Sequence, residues 1–117
     1  MTGLLTGLLV ALGAAVGAPL RYWLGRGLDR PGSWHVGTLA ANTLGSLLLG
    51  LCTAFALEGA ALGLLGTGFC GALTTYSSFA VQARERGARA GSAYAVTTVA
   101  LALLAVGAGF WCGAQVA

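Results

Sequence analysis

Four apolar runs, none broken internally by a charged side chain, take up almost the whole of this 117-residue sequence. Crossing the hydrocarbon core of a bilayer as a helix takes about 20 apolar residues. The runs cover about residues 3–21 (closing on Arg21), 36–57 (stopping at Glu58-Gly59), 60–81 and 91–112. The first lacks the basic flank of a cleavable leader and reads as a span. Between the first two runs lies the polar stretch 26–33, with Pro31-Gly32 as its turn signal, and the loop 82–89 separates the last two. Only 8% of residues are charged, against about a quarter in a soluble domain. That is too little to coat a water-facing surface, which excludes a soluble enzyme and a disordered tail. The expectation is an all-α membrane protein, a single domain over 1–117 with four transmembrane helices.

The charges that exist are one-sided. The chain has six arginines, no lysine, and only Asp29, Glu58 and Glu85 as acids, for a net charge of +3. Binding a nucleic-acid backbone needs many cations on one face; here they sit in two short clusters between apolar runs, and no nucleic-acid partner is expected. All six lie at the ends of the runs that share one membrane side, and none lies at the N-terminus, the Glu58 loop or the C-terminus. The positive-inside rule makes the arginine loops cytoplasmic and both termini external, in a multi-pass protein of the inner (plasma) membrane. Glycines recur four apart (Gly3/Gly7, Gly13/Gly17, Gly59/Gly63, Gly109/Gly113), a spacing that lets helix backbones approach closely in lipid. Four thin helices enclose little interior, so a pore calls for a second copy.

Polar groups at membrane depth are expensive, and each needs a reason. No acid lies mid-run, so the carboxylate of a proton-coupled multidrug exporter is missing. His35 stands at a helix entrance, which suits an interfacial or capping role. Cys52, Cys70 and Cys112 are scattered through apolar segments and read as buried small side chains. Without a buried base, nucleophile pair or metal cluster, acid–base and metal chemistry have nothing to act with, and no enzyme is expected. The remaining polar groups are neutral and clustered. Asn42, inside the second run, reads either as an interhelical hydrogen-bond clamp or as the lining of an aqueous vestibule. The third run holds Gly66-Thr-Gly-Phe-Cys-Gly-Ala-Leu-Thr-Thr-Tyr-Ser-Ser-Phe79, whose glycines and hydroxyls weaken a continuous helix. It is either a broken helix or a Ser/Thr-rich helix bonding its own carbonyls. A break is tolerated in a membrane only beside protein or a water-filled cavity, and such breaks form ion sites.

Gly17-Ala-Pro-Leu-Arg-Tyr22, Gly37-Thr-Leu-Ala-Ala-Asn-Thr-Leu-Gly-Ser46 and Gly68-Phe-Cys-Gly-Ala-Leu-Thr-Thr-Tyr-Ser-Ser-Phe79 resemble, in order and spacing, the three signature segments of the Fluc (CrcB) fluoride channels. The resemblance covers essentially the whole chain. It implies two four-helix subunits inserted antiparallel, two fluoride pores along the dimer interface, and a structural sodium ion held by backbone carbonyls where the third helix breaks. Residue by residue it places those carbonyls at Gly71 and Thr74, the vestibule-side pore asparagine at Asn42 and the first-helix arginine at Arg21. The paired pore aromatics fall on Tyr76 and Phe79, and the hydroxyl stretch on Thr75, Ser77 and Ser78. Tyr94, Thr97 and Thr98 are polar candidates without a motif to anchor them. The chemistry is suitable: a strongly hydrated anion needs amide and hydroxyl donors, and an aromatic ring offers a positive edge.

Two departures stand out. Tyr76 occupies the place of the first pore phenylalanine, adding a hydroxyl that either donates to fluoride or obstructs it. The arginine bias of six to none argues for one fixed orientation, whereas a dual-topology homodimer needs near balance. An oppositely oriented paralogue is therefore favoured over self as the second subunit. The function this implies is passive export of cytoplasmic fluoride, giving fluoride resistance. The competing readings are a small dimeric transporter of the multidrug type and a non-conducting partner subunit of a heterodimeric fluoride channel.

Overall fold

The computed structural model describes residues 3–30 and 34–117; the Pro31-Gly32 turn signal lies outside the described residues. All regular secondary structure in the described residues is helical, apart from one isolated backbone bridge between Asp29 and His35. We number the helices α1 (Gly3–Leu28), α2 (Val36–Ala54), α3 (residues 59–73), α4 (Ser77–Glu85) and α5 (Gly87–Val116). Three of them, α1, α2 and α5, are long and apolar enough to cross a membrane. The longest dimension of the fold is 46 Å, close to the full thickness of a bilayer with its headgroups.

The apolar side chains are turned outward. Leu4, Leu12, Val16, Leu103, Leu104 and Trp111 are all exposed, while the buried apolar set is short: Ala41, Cys52, Cys70, Leu73, Tyr94 and Ala105. Such a surface is soluble in lipid, not in water. Glycine fills the interior instead. The closest helix pairings are α2 with α5 and α1 with α3. A Cβ at Gly13 would run into the Leu64 carbonyl, one at Gly17 into the Phe69 carbonyl, and one at Gly109 into the Leu47 carbonyl. Backbone lies against backbone at these crossings, which maximises dispersion contact where no hydrophobic effect operates between helices. Gly3 and Gly7, at the same spacing, face open space. Cys112 is exposed, unlike Cys52 and Cys70.

Helix boundaries differ from the expected ones for identifiable reasons. α1 does not close on Arg21 but runs through Pro19 and Arg21 to Leu28. A charge ends an apolar run without ending a helix, since arginine is a good helix former. The nineteen residues from Gly3 to Arg21 rise about 27 Å over their eighteen steps, so α1 emerges from the hydrocarbon near Arg21 and continues beyond it. α2 stops at Ala54, not at 57, in a Schellman closure. Leu57 N–H donates to the Cys52 carbonyl (3.1 Å) and Ala56 N–H to the Thr53 carbonyl (3.0 Å), with Ala56 held at φ 53°.

The expected 82–89 loop is mostly helix. α4 continues to Glu85 and α5 starts at Gly87, so the turn falls on Arg86 and Gly87, the latter at φ 85°. Glycine adopts that conformation without penalty, which lets a sharp reversal replace a loop. α5 correspondingly covers 30 residues, extending beyond the expected 91–112 at both ends. His35 sits at the N-cap position of α2 without a side-chain cap. Asp29 does the capping, its Oδ1 accepting from the N–H groups of Gly37 (2.7 Å) and Thr38 (3.3 Å).

Candidate functional site

The segment expected to break does so. α3 begins as an α-turn (Gly59–Ala61), widens into a π-helix over Leu62–Cys70 and tightens again at Gly71–Leu73. Thr74 then turns extended (φ −82°, ψ 157°) and helix resumes only at Ser77. π segments commonly mark functional positions, and three buried glycines (Gly63, Gly66 and Gly68) accompany this one. The continuous Ser/Thr-rich helix is thereby excluded. Only Thr74 bonds back in that manner, its hydroxyl donating to the Cys70 carbonyl at 2.9 Å.

Asn42 holds the break in place. Thr75 N–H donates to Asn42 Oδ1 (2.7 Å), and Asn42 Nδ2 donates to the Thr75 carbonyl (3.1 Å). The carboxamide thus stands in for a missing helical turn, and Asn42 makes the interhelical clamp while also bordering a cleft. It also has a consequence one turn back. In a continuous helix Thr75 N–H would serve the Gly71 carbonyl; it serves Asn42 instead, and among the described residues no loop N–H takes its place at the carbonyl of exposed Gly71. Thr75 Oγ1 accepts from Ser78 N–H (3.2 Å) and lies 3.5 Å from Ser77 Oγ, so the same residue secures the start of α4.

Two clefts meet at this point. One, about 550 Å³, opens between α2, α3, α4 and α5 and is lined by Asn42, Gly71, Thr74, Thr75, Tyr76, Phe79 and Thr98, among others. Tyr76 stands 73% exposed there, edge-on to Phe79 at 6.1 Å. Thr98 is buried, and its hydroxyl has no hydrogen-bond partner among the described residues. The other cleft, about 480 Å³, lies toward the arginine-bearing helix ends and is lined by Arg21, Tyr22, Arg26, Asp29, Thr38, Thr75, Ser78 and Gln82, with Gly25. Thr75 borders both. Of the expected site residues only Ser77 borders neither; it is exposed, as Thr97 is partly.

A polar relay that the sequence did not reveal braces the second cleft. The Tyr94 hydroxyl donates to Gln82 Oε1 (2.8 Å), Gln82 Nε2 to Thr38 Oγ1 (3.1 Å), and Thr38 Oγ1 to Asp29 Oδ2 (3.3 Å). Tyr94, fully buried, packs its ring 5.8 Å from Phe79, so the relay sets the position of that ring. Arg86 closes the far side, 5.2 Å from the Tyr94 centroid and 3.4 Å from His35 Nδ1. Gln82, at the start of the expected 82–89 loop, lies within α4. Its three- and four-residue spacing from Phe79 and Ser78 on α4 is the signal that it shares their face. Among the described residues no three His, Cys, Asp or Glu side chains gather as a metal site. The oxygen donors at the break are backbone carbonyls, Gly71 among them, and the side-chain oxygens of Asn42, Thr74 and Thr75.

A broken helix, amide and hydroxyl donors, ring edges and, at one end, arginines thus gather around two clefts. Residues 8–110 match the family model described as CrcB-like protein, Camphor Resistance (CrcB). The chain is 47% identical over 110 residues to a fluoride-specific ion channel, FluC 2, of Rhodococcus jostii, covering 91% of this chain and 96% of that one. It is 47% identical over 114 residues to FluC 1 of Streptomyces avermitilis, also a fluoride-specific ion channel, covering 89% and 92%. With FluC 2 of Halobacterium salinarum it shares 46% over 107 residues, 84% and 78% of the two chains. The chain is therefore a member of the CrcB family of membrane proteins, a family of ion channels and not of enzymes.

Proposed function

We propose that this chain is a subunit of a fluoride-selective channel that exports cytoplasmic fluoride passively. The observation that carries the reading is the α3–α4 break, pinned by both hydrogen bonds of Asn42 and set where Thr75, Ser78, Thr98 and the Phe79 edge converge on two clefts. Fluoride arriving at the arginine-lined cleft is attracted by Arg21 and Arg26 and sheds water to hydroxyl donors at Ser78 and Thr75. It then passes the ring edges of Phe79 and Tyr76 toward the Thr98 hydroxyl. Donors and quadrupole edges replace its hydration shell without a countercharge that would trap it. Asp29, Glu58 and Glu85 all lie at helix ends or beyond, which leaves a proton-coupled multidrug transporter without its membrane-embedded acid.

In this reading α3 and α4 together make the fourth crossing, and the 550 Å³ cleft, open on one side of a single chain, is completed by a second, antiparallel subunit. A structural sodium ion at the dimer centre suits the chemistry of the break. The Gly71 carbonyl, freed by Asn42, and the Thr74 carbonyl beside it would be this subunit's share of its ligands. A bound cation there supplies fixed positive charge in low dielectric, balancing nearby anions. The arginine bias fixes the orientation, with the arginine ends cytoplasmic and both termini outside. The favoured second subunit is an oppositely oriented paralogue.

Fluoride efflux from liposomes, read by a fluoride electrode with chloride loading as control, tests the proposal. With an oppositely oriented paralogue co-reconstituted, fluoride-only flux is expected, and Phe79→Ile should abolish it while assembly persists. Absence of flux from every folded combination refutes the channel reading. Rapid flux from the chain alone refutes the obligate heterodimer. A second reading, a non-conducting partner subunit, is favoured by Tyr76 standing 73% exposed in the cleft; indifference of flux to Phe79→Ile would support it.

A further inference from the structure

A third cleft, about 390 Å³, lies away from both of those at the pore, in the corner between α4 and α5. It is lined by Arg84 and Ser92 together with Ala83, Gly87, Ala88, Gly91 and Ala95. We propose that this corner is a binding site for an anionic phospholipid, with the phosphodiester on Arg84 and Ser92 and the upper acyl chain along the alanines.

Depth is the first argument. At 30 residues, α5 is about 45 Å long, some 15 Å more than the hydrocarbon core. It therefore extends past the hydrocarbon, and exposed Arg89 and Ser92 near its start put its first turns at the headgroup end. The exposed residues of α5 change character at one point: Arg89, Ala90, Ser92 and Ala93 precede it, and Val96, Val99, Leu103 and Leu104 follow. The cleft straddles that boundary, with Arg84 and Ser92 on the polar side and Ala95 on the apolar side. A lipid, polar at one end and apolar at the other, fits it in one orientation.

Charge is the second argument. Arg84 and Arg89 are both exposed, and neither forms an ion pair among the described residues. Glu85, the one acid nearby in sequence, is exposed and does not line the cleft. Basic pockets between transmembrane helices at the cytoplasmic side recognise anionic headgroups. The cleft walls are also firm. Gly91 lies so close to the Ala83 carbonyl that a Cβ would collide with it, which locks α4 against α5 and keeps the groove from collapsing. A zwitterionic lipid would gain the same apolar contact but would bring its own cation toward Arg84.

The test is native mass spectrometry of the assembled protein, titrated with phosphatidylglycerol or with phosphatidylcholine of the same chains. Preferential retention of phosphatidylglycerol is expected. Arg84→Gln should weaken it about fivefold, the worth of one interfacial arginine, and Arg84→Lys should largely restore it. Ala88→Leu, or Ser92→Leu should the first fail to fold, fills the groove and should weaken retention with every arginine in place. Arg26→Gln, on α1, should leave it unchanged. Equal losses from Arg84→Gln and Arg26→Gln, or retention indifferent to both filling variants, would mean diffuse attraction to the basic end and would overturn the site.

Discussion

Replacing Asn42 by Leu, close to it in volume, removes one carboxamide and strands two backbone groups. Thr75 loses the acceptor of its N–H (2.7 Å) and the donor to its carbonyl (3.1 Å), both part-buried. An unsatisfied buried polar group costs about 1–3 kcal/mol, which would put the sum at roughly 2–6 kcal/mol. Side-chain hydrogen bonds measured within membranes are weaker, averaging about 0.6 and reaching about 1.7 kcal/mol, because the unfolded state in lipid also finds partners. Two such bonds give roughly 1–3.5 kcal/mol, and about 2 kcal/mol is the expected loss, equivalent to roughly a thirtyfold shift in the folding equilibrium. Unfolding in mixed micelles of increasing SDS fraction measures it. With the break no longer pinned, fluoride flux in the proposed channel should fall more than stability does. A variant within about 0.5 kcal/mol of the parent that conducts at the parent rate would refute the clamp.

Ala56→Gly relieves a left-handed alanine at φ 53° and should stabilise the protein by about 1 kcal/mol in the same unfolding assay. Gly13→Val drives a side chain into the Leu64 carbonyl; α1 has to part from α3, with a loss of about 3 kcal/mol or failure to assemble, read by size-exclusion profile. Gln82→Leu leaves the hydroxyl of fully buried Tyr94 without its acceptor and should cost about 1–3 kcal/mol, while the matching Tyr94→Phe variant should be less damaging than Gln82→Leu. Tyr76→Phe removes an exposed hydroxyl and should leave stability within about 0.5 kcal/mol; in the proposed channel it should raise fluoride flux in the liposome assay.

What could be read from the sequence was whatever depends on the solvent and on local chemistry. Uninterrupted apolar runs identified a membrane protein, because hydrocarbon forbids charge along the whole length of a span. The Gly-rich and hydroxyl-rich stretch marked the weak point of the third run, since those residues disfavour helix, and the structure decides between a break and a continuous Ser/Thr-rich helix. Boundaries were harder. A charge at Arg21 marks where lipid ends, which is not where hydrogen bonding ends, and so α1 ran further than expected. Gly87 was hidden within a charged stretch that looked like a loop, although its positive φ makes the loop unnecessary. The relay from Asp29 to Tyr94 joins residues far apart in the chain through side chains that are individually unremarkable. No spacing rule couples them, and only the packing of α2, α4 and α5 does.

Thr75 has an uncommon freedom for a residue at the junction of two clefts. Its main chain is fastened from outside, by a side chain on another helix, while its own hydroxyl caps Ser78 at the start of α4. Exchange of Thr75 for serine keeps that cap and exchange for alanine or valine gives it up; in the proposed channel each changes what the junction offers a passing ion while Asn42 still holds the Thr75 backbone. The clamp on the backbone and the chemistry of the junction are thereby assigned to different residues. Selection can retune the preferred anion at one position without renegotiating the fold at another, and the same separation gives an engineer a place to begin.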